Sequence, residues 1–145
     1  MKQSDITERI IELSREIAKY WRMEIYEGCW IYDEVEERLV LFGKDTQLIL
    51  NGKLLTYSLL IKSDTTKELA QVTSGKFFPI PSISDALGKL RELDWCIEMT
   101  YICEPKIELN YVKGGERFKQ IKAEGNTLHE TLLSALLKMM KGEGK

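Results

Sequence analysis

Apolar positions recur at a helical period at both ends of the chain and alternate along most of its middle. Ile6, Ile10, Leu13, Ile17 and Tyr20 or Trp21 fall on one side, with Arg9, Glu12, Arg15, Glu16 and Lys19 largely on the other. This spacing predicts a one-faced helix of about five turns, opened by an Asp5–Glu8 capping box and ending near Met23. Two short aromatic and β-branched runs, Cys29 to Tyr32 and Arg38 to Phe42, flank an acidic turn and read as a hairpin. Asn51-Gly52 signals a second hairpin, because both residues tolerate positive φ. After it, Leu55, Tyr57, Leu59 and Ile61 make one apolar face. From Lys62 to Ser82 polar and breaker residues predominate, predicting a long connection with a short helical turn near Thr66 to Gln71.

The second half is patterned more sharply. Ser82 and Asp85 cap a helix whose Ile83, Ala86, Leu87, Leu90 and Leu93 share a face. A strand follows, with Trp95, Ile97, Met99, Tyr101 and Cys103 on one side and Cys96, Glu98, Thr100, Ile102 and Glu104 on the other. Gly114-Gly115 turns a hairpin in which Tyr111 should oppose Phe118 and Lys113 should oppose Glu116. Ile107, Leu109 and Tyr111 extend the core face, while Ile102, Val112 and Ile121 fall opposite, predicting a sheet partly covered on both sides. The last helix opens with a Thr127–Glu130 capping box. Leu128, Leu132, Leu133, Ala135, Leu136, Leu137, Met139 and Met140 then occupy more than half its circumference. Such a helix lies between layers or supplies a subunit interface, for which Leu133, Leu137 and Met140 are the candidates.

The expected fold is therefore α+β, a mainly antiparallel sheet with helices packed on its faces in the manner of an α/β/α sandwich. One domain over 1–145 is expected, with 44–76 as an insertion and 142–145 as a disordered tail. At 145 residues, 43% of them hydrophobic, the chain can bury a sizeable core. A formal net charge of −2 argues against a protein that coats nucleic acid along its whole surface. No run approaches the ~20 apolar residues that span a bilayer, and the start lacks a signal-peptide core, so no membrane partner is expected and the cytoplasm is the expected compartment.

Candidate chemistry is sparse. Cys29, Cys96 and Cys103 form no CxxC pair, and one histidine completes none of the common zinc sites. Reduced thiols used as small apolar residues are expected. Cys103 should project into the core and Cys96 away from it. Asp33, Glu34, Glu36 and Glu37 lack the Gly-centred spacing of a calcium loop and read as a solvated hairpin tip. His129, in the first turn after Thr127, sits among free backbone N–H groups that disfavour its charged form. With no nucleophile or orienting carboxylate singled out for it, it reads as structural or solvent-exposed. Lys106, Arg117 and Lys119, on the less apolar sheet face, are the candidate nucleic-acid contacts, with cross-strand charge pairing as the plainer account. No cofactor, metal or catalytic set is expected.

The run "PSISDALGKLRELDWCIEM", two strands and "GNTLHETLLSALLKMM" resemble the phage ABA sandwich domain family, best over residues 79–140. That resemblance implies helices sandwiching a sheet and a phage or prophage origin. It implies no reaction. The expected function is a non-enzymatic macromolecular interaction module with a protein partner or self-association, the alternative being a nucleic-acid-associated protein using the last hairpin.

Overall fold

A computed structural model describes residues 2–43, 46–51, 56–62, 69–73, 76–101, 103–113 and 116–142. The chain is α+β, with three helices and three three-stranded antiparallel sheets among these residues. It divides into two compact units, one built from Met1–Arg22 and Pro81–Lys145 and the other from Met23–Ile80. The second is thus a continuous segment interposed in the first. It takes in the stretch 44–76 singled out in the sequence and also the first hairpin.

In the first unit, α1 (Glu8–Ile17) is capped by Thr7, whose Oγ1 accepts from the Ile10 N–H at 3.2 Å. The predicted Asp5 cap belongs instead to a preceding 3-10 turn, Gln3–Asp5, where the Asp5 carboxylate accepts from the Lys2 N–H. The helix also ends at Ile17 rather than Met23, since residues 18–20 form a turn. Its buried positions, Ile10, Leu13, Ser14 and Ile17, keep the i, i+3, i+4, i+7 stripe. Helix α2 (Ile83–Glu92) carries the expected capping box, with Ser82 Oγ accepting from the Asp85 N–H and the Asp85 carboxylate from the Ser82 N–H. Helix α3 (Leu128–Met140) is capped by Thr127.

The sheet of this unit has the order β7-β8-β9, formed by Trp95–Tyr101, Pro105–Lys113 and Glu116–Glu124. One face carries Trp95, Ile107, Leu109, Ile121 and Ala123, all buried, and α3 packs against β8 and β9 while α2 meets β7. The other presents Cys96, Glu98, Thr100, Lys106, Lys122 and Glu124, all exposed. A break in register between Tyr111 and Val112 overturns the predicted hairpin pairing: Tyr111 opposes Lys119, while Val112 opposes Arg117. One extra residue in a strand reverses the parity of everything beyond it. Ile121, expected on the outer face, therefore opposes Leu109 on the buried one. The Lys113–Glu116 pairing holds, and the Gly114-Gly115 tip, Ile102 and residues 143–145 of the expected tail lie outside the described residues.

Helix α3 fits between that sheet and the other two helices, packing on α1 and α2 with its remaining surface. This explains its surplus of leucines without a second chain. Leu133 is wholly buried and Leu137 nearly so within this one chain, so neither is free to form the expected interface; only Met140 is partly exposed.

In the second unit, β1 (Trp30–Asp33) pairs with β2 (Arg38–Leu41) and with β6 (Phe77–Ile80), giving the order β2-β1-β6. Ile31 is its buried centre, packed by Ile25, Val40, Phe42 and Phe77. A second sheet joins β3 (Thr46–Asn51), β4 (Thr56–Lys62) and β5 (Leu69–Thr73) in sequence order. Among its described residues the expected long connection is thus mostly two strands, β5 and β6, and residues 69–71 are extended rather than helical, while 66–68 lie outside the described residues. Pro79 did not prevent this, because β6 is an edge strand and needs no ladder bond from that residue. β3 and β4 pair as a hairpin up to Asn51 opposite Thr56, so Asn51 ends a strand, and residues 52–55 lie outside the described residues.

Candidate functional site

The N-terminal ends of the three helices meet around His129 and Glu130. Thr7 Oγ1 donates to Glu130 Oε1 at 2.6 Å, and the Asn126 N–H donates to Glu130 Oε2 at 3.2 Å. Glu130 therefore links the cap of α1 to the segment entering α3, and does not close the simple capping box its spacing suggests. Thr127 Oγ1 still accepts from the Glu130 N–H at 3.1 Å. One turn on, Thr131 Oγ1 donates to Thr127 O at 2.7 Å, with Pro105 O at 3.3 Å. Gly125 leaves no room here: a Cβ on it would lie 2.7 Å from Thr131 Oγ1 and 2.9 Å from Thr131 N.

His129 is 7% exposed, and its Nε2 donates to Pro81 O at 2.7 Å. That bond places a proton on Nε2, and burial holds the ring's pKa below its ordinary value. The Pro81 carbonyl, Glu130, Asp5 and Asp85 all favour the charged form, but they do not outweigh desolvation. Among the described residues no hydroxyl, thiol or carboxylate hydrogen-bonds to the imidazole. The ring ties the strand-to-helix segment before α2 to the first turn of α3, which is a structural task.

The other sequence candidates are dispersed. Asp33 is wholly buried; its carboxylate accepts from the Val35 and Glu36 N–H groups and pairs with Arg38 Nε at 3.2 Å. It therefore builds the turn, while Glu36 and Glu37 are exposed. No group of three His, Cys, Asp or Glu side chains among the described residues is placed to hold a metal ion. Cys29 is buried as expected. Cys103, expected in the core, is exposed in the bend after β7, as is Cys96 on its strand.

Lys106 pairs with Glu124 at 3.5 Å across the outer sheet face. Lys119 opposes Tyr111, and the bulge assigns it to the other face. Arg117 opposes Val112, six positions along β8 from Lys106, roughly 20 Å at the usual strand rise. The three do not form one patch. On the outer face Gln120 donates to both Glu108 and Asn110, a polar ladder that further occupies this surface.

The helices share a direction as well as an end. Lys141, just past α3, is close enough to Glu16, in the last turn of α1, to bias its ionisation. Lys19 is the main influence there, and together with Lys141 and Arg15 it holds the Glu16 carboxyl below the usual range. Lys89 of α2 lies over the Trp21 ring, 5.4 Å from its centre. Lysines and arginines of all three helices thus gather at one end. The sequence shows each helix's basic last turn; it does not show that the three turns are neighbours.

Compared with protein-family models, with characterised proteins and with solved structures, the chain matches none. No helix among the described residues is long and apolar enough to cross a membrane.

Proposed function

We propose that the chain is a non-enzymatic macromolecular interaction module, of the small phage or prophage type to which residues 79–140 bear a resemblance. The observation that carries this reading is the way its most reactive buried groups are spent. His129 serves a backbone carbonyl, and Glu130 serves a helix cap and a backbone N–H. Asp33 serves its own turn and Arg38. A general base needs a proton to take within hydrogen-bond reach of a substrate, and these groups face inward. What the molecule offers outward is charge.

The reading is tested with two panels on the full chain. Chromogenic ester, phosphate and glycoside substrates probe turnover; immobilised oligonucleotides, heparin and anionic vesicles probe binding. Retention on at least one charged surface is expected, with no turnover that depends on His129. Turnover lost in His129→Gln or Glu130→Gln, in protein that still unfolds cooperatively, would overturn it.

A further inference from the structure

We infer that the C-terminal ends of the three helices form a binding surface for the phosphate backbone of single-stranded nucleic acid, with Tyr20 as a platform for a base. This rests on the interaction-module reading and gives it a partner. In and just after its last turn α1 contributes Arg15, Lys19 and Arg22. The corresponding parts of α2 and α3 contribute Lys89 and Arg91, and Lys138 and Lys141. These seven cations meet only three carboxylates in the same segments, Glu16, Glu92 and Asp94. A local excess of positive charge thus sits in a chain whose formal net charge is −2.

Cations at a helix C-terminus ordinarily offset the negative end of the helix dipole, and one such turn would mean nothing more. Here three helices enter from the same end, so the offsets pool. Several of the heads are also in water: Lys19, Arg22, Arg91 and Lys141 are all exposed. Lys138 Nζ donates to the Lys122 carbonyl at 2.9 Å, a bond that leaves its charge uncancelled. Glu16 is held by Lys19 at 3.0 Å, and Lys89 reaches Glu92 only at 3.8 Å.

Aromatic rings decide between polyanions. The segment Lys19-Tyr20-Trp21-Arg22 leaves α1 in a turn, with both the Tyr20 and Trp21 N–H groups on Ile17 O. Tyr20 is 54% exposed, and Trp21 is partly exposed beneath Lys89. A ring in water flanked by cations suits an unpaired base, whose face can stack while its phosphates meet lysine and arginine. A paired duplex offers no such free base.

The test is fluorescence anisotropy of the full chain with labelled single-stranded DNA and RNA of about 15 nucleotides, a length near the upper site size of compact single-strand binders. Neutralising about three phosphates implies a loss of roughly twentyfold in affinity between about 50 and 200 mM salt. Arg22→Glu combined with Lys141→Glu should weaken binding at least tenfold, and Tyr20→Ala about fivefold or more. Lys106→Glu, on the outer sheet face where it pairs with Glu124, should change it less than twofold. All are exposed positions, and circular dichroism checks that each variant folds.

Absence of binding at low salt, indifference to salt, or an equal loss in the Lys106→Glu variant would overturn the inference. Anionic vesicles that bind where oligonucleotides do not would also overturn it, while leaving the interaction-module reading in place.

Discussion

The two ends of the three-helix layer use charge in opposite ways. At the N-terminal end Glu130 is 5% exposed and its two oxygens accept from Thr7 and Asn126, while burial holds the pKa of the neighbouring His129 below its ordinary value. At the C-terminal end the charged groups stand in water as ion pairs such as Lys19–Glu16. A buried acceptor whose donors are taken away leaves unsatisfied groups that water cannot reach, so it is bound to the fold. An exposed pair exchanges one well-solvated state for another and contributes little to stability. The first end is therefore committed to structure, whereas the exposed pairs of the second contribute little to it.

That contrast can be broken at its tightest point by Gly125→Ala. Its φ is not in the left-handed region, so alanine would gain slightly through a stiffer unfolded chain. The new methyl, however, meets the Thr131 backbone, which no rotamer change relieves. A net loss of about 2–3 kcal/mol in urea unfolding is expected. An unchanged midpoint would show that the junction is loose. Glu130→Ala comes next, at about 2 kcal/mol, because it strips a buried acceptor from two donors. A loss below about 0.5 kcal/mol would place the carboxylate in solvent and end the contrast.

The pH dependence sharpens the same point. Burial lowers the His129 pKa in the folded chain, so the unfolded chain takes up the proton first, at its ordinary value of about 6.5. Stability from this site is complete above that pH and declines as pH falls towards the lowered folded value. The Nε2–H bond to Pro81 survives protonation, so the loss comes from burying charge, not from a broken bond. His129→Gln, which keeps an N–H, should flatten the unfolding midpoint between about pH 6.5 and 5.5 relative to the wild type. Identical profiles would contradict a buried neutral ring. The smallest effect has the opposite sign: Ser14 Oγ is buried without a hydrogen-bond partner among the described residues, so Ser14→Ala should be neutral or stabilise by up to about 1 kcal/mol. Destabilisation would reveal a partner for that hydroxyl.

Legibility followed the range of the interaction. Ser82 with Asp85, Thr127, the alternation of Trp95 to Met99 and the first hairpin were all readable, because cap and pleat depend on neighbours a few residues apart. The Thr7 cap was missed although "ITER" carries its signal; Asp5 offered a rival start one turn earlier. Strands β5 and β6 hid behind polar residues and prolines because an edge strand tolerates both. Of the site, His129 stands out in the sequence as structural or solvent-exposed, and the fold buries it; Thr7, Pro81 and Gly125 do not stand out. Each acts on a residue far away in the chain, and the Thr7–Glu130 bond joins the two ends of the first unit.

Taken alone, the order of residues determined that this chain makes three amphipathic or apolar helices and antiparallel strands. Periodicity and capping chemistry are local and survive without context. Only the tertiary structure decided which way each β9 side chain faces, that α3 spends its leucines inside the chain, and that three basic helix ends become one surface. A bulge of one residue, a layer on each side of a helix and a shared helix direction are relations between distant segments, and no window along the sequence contains them.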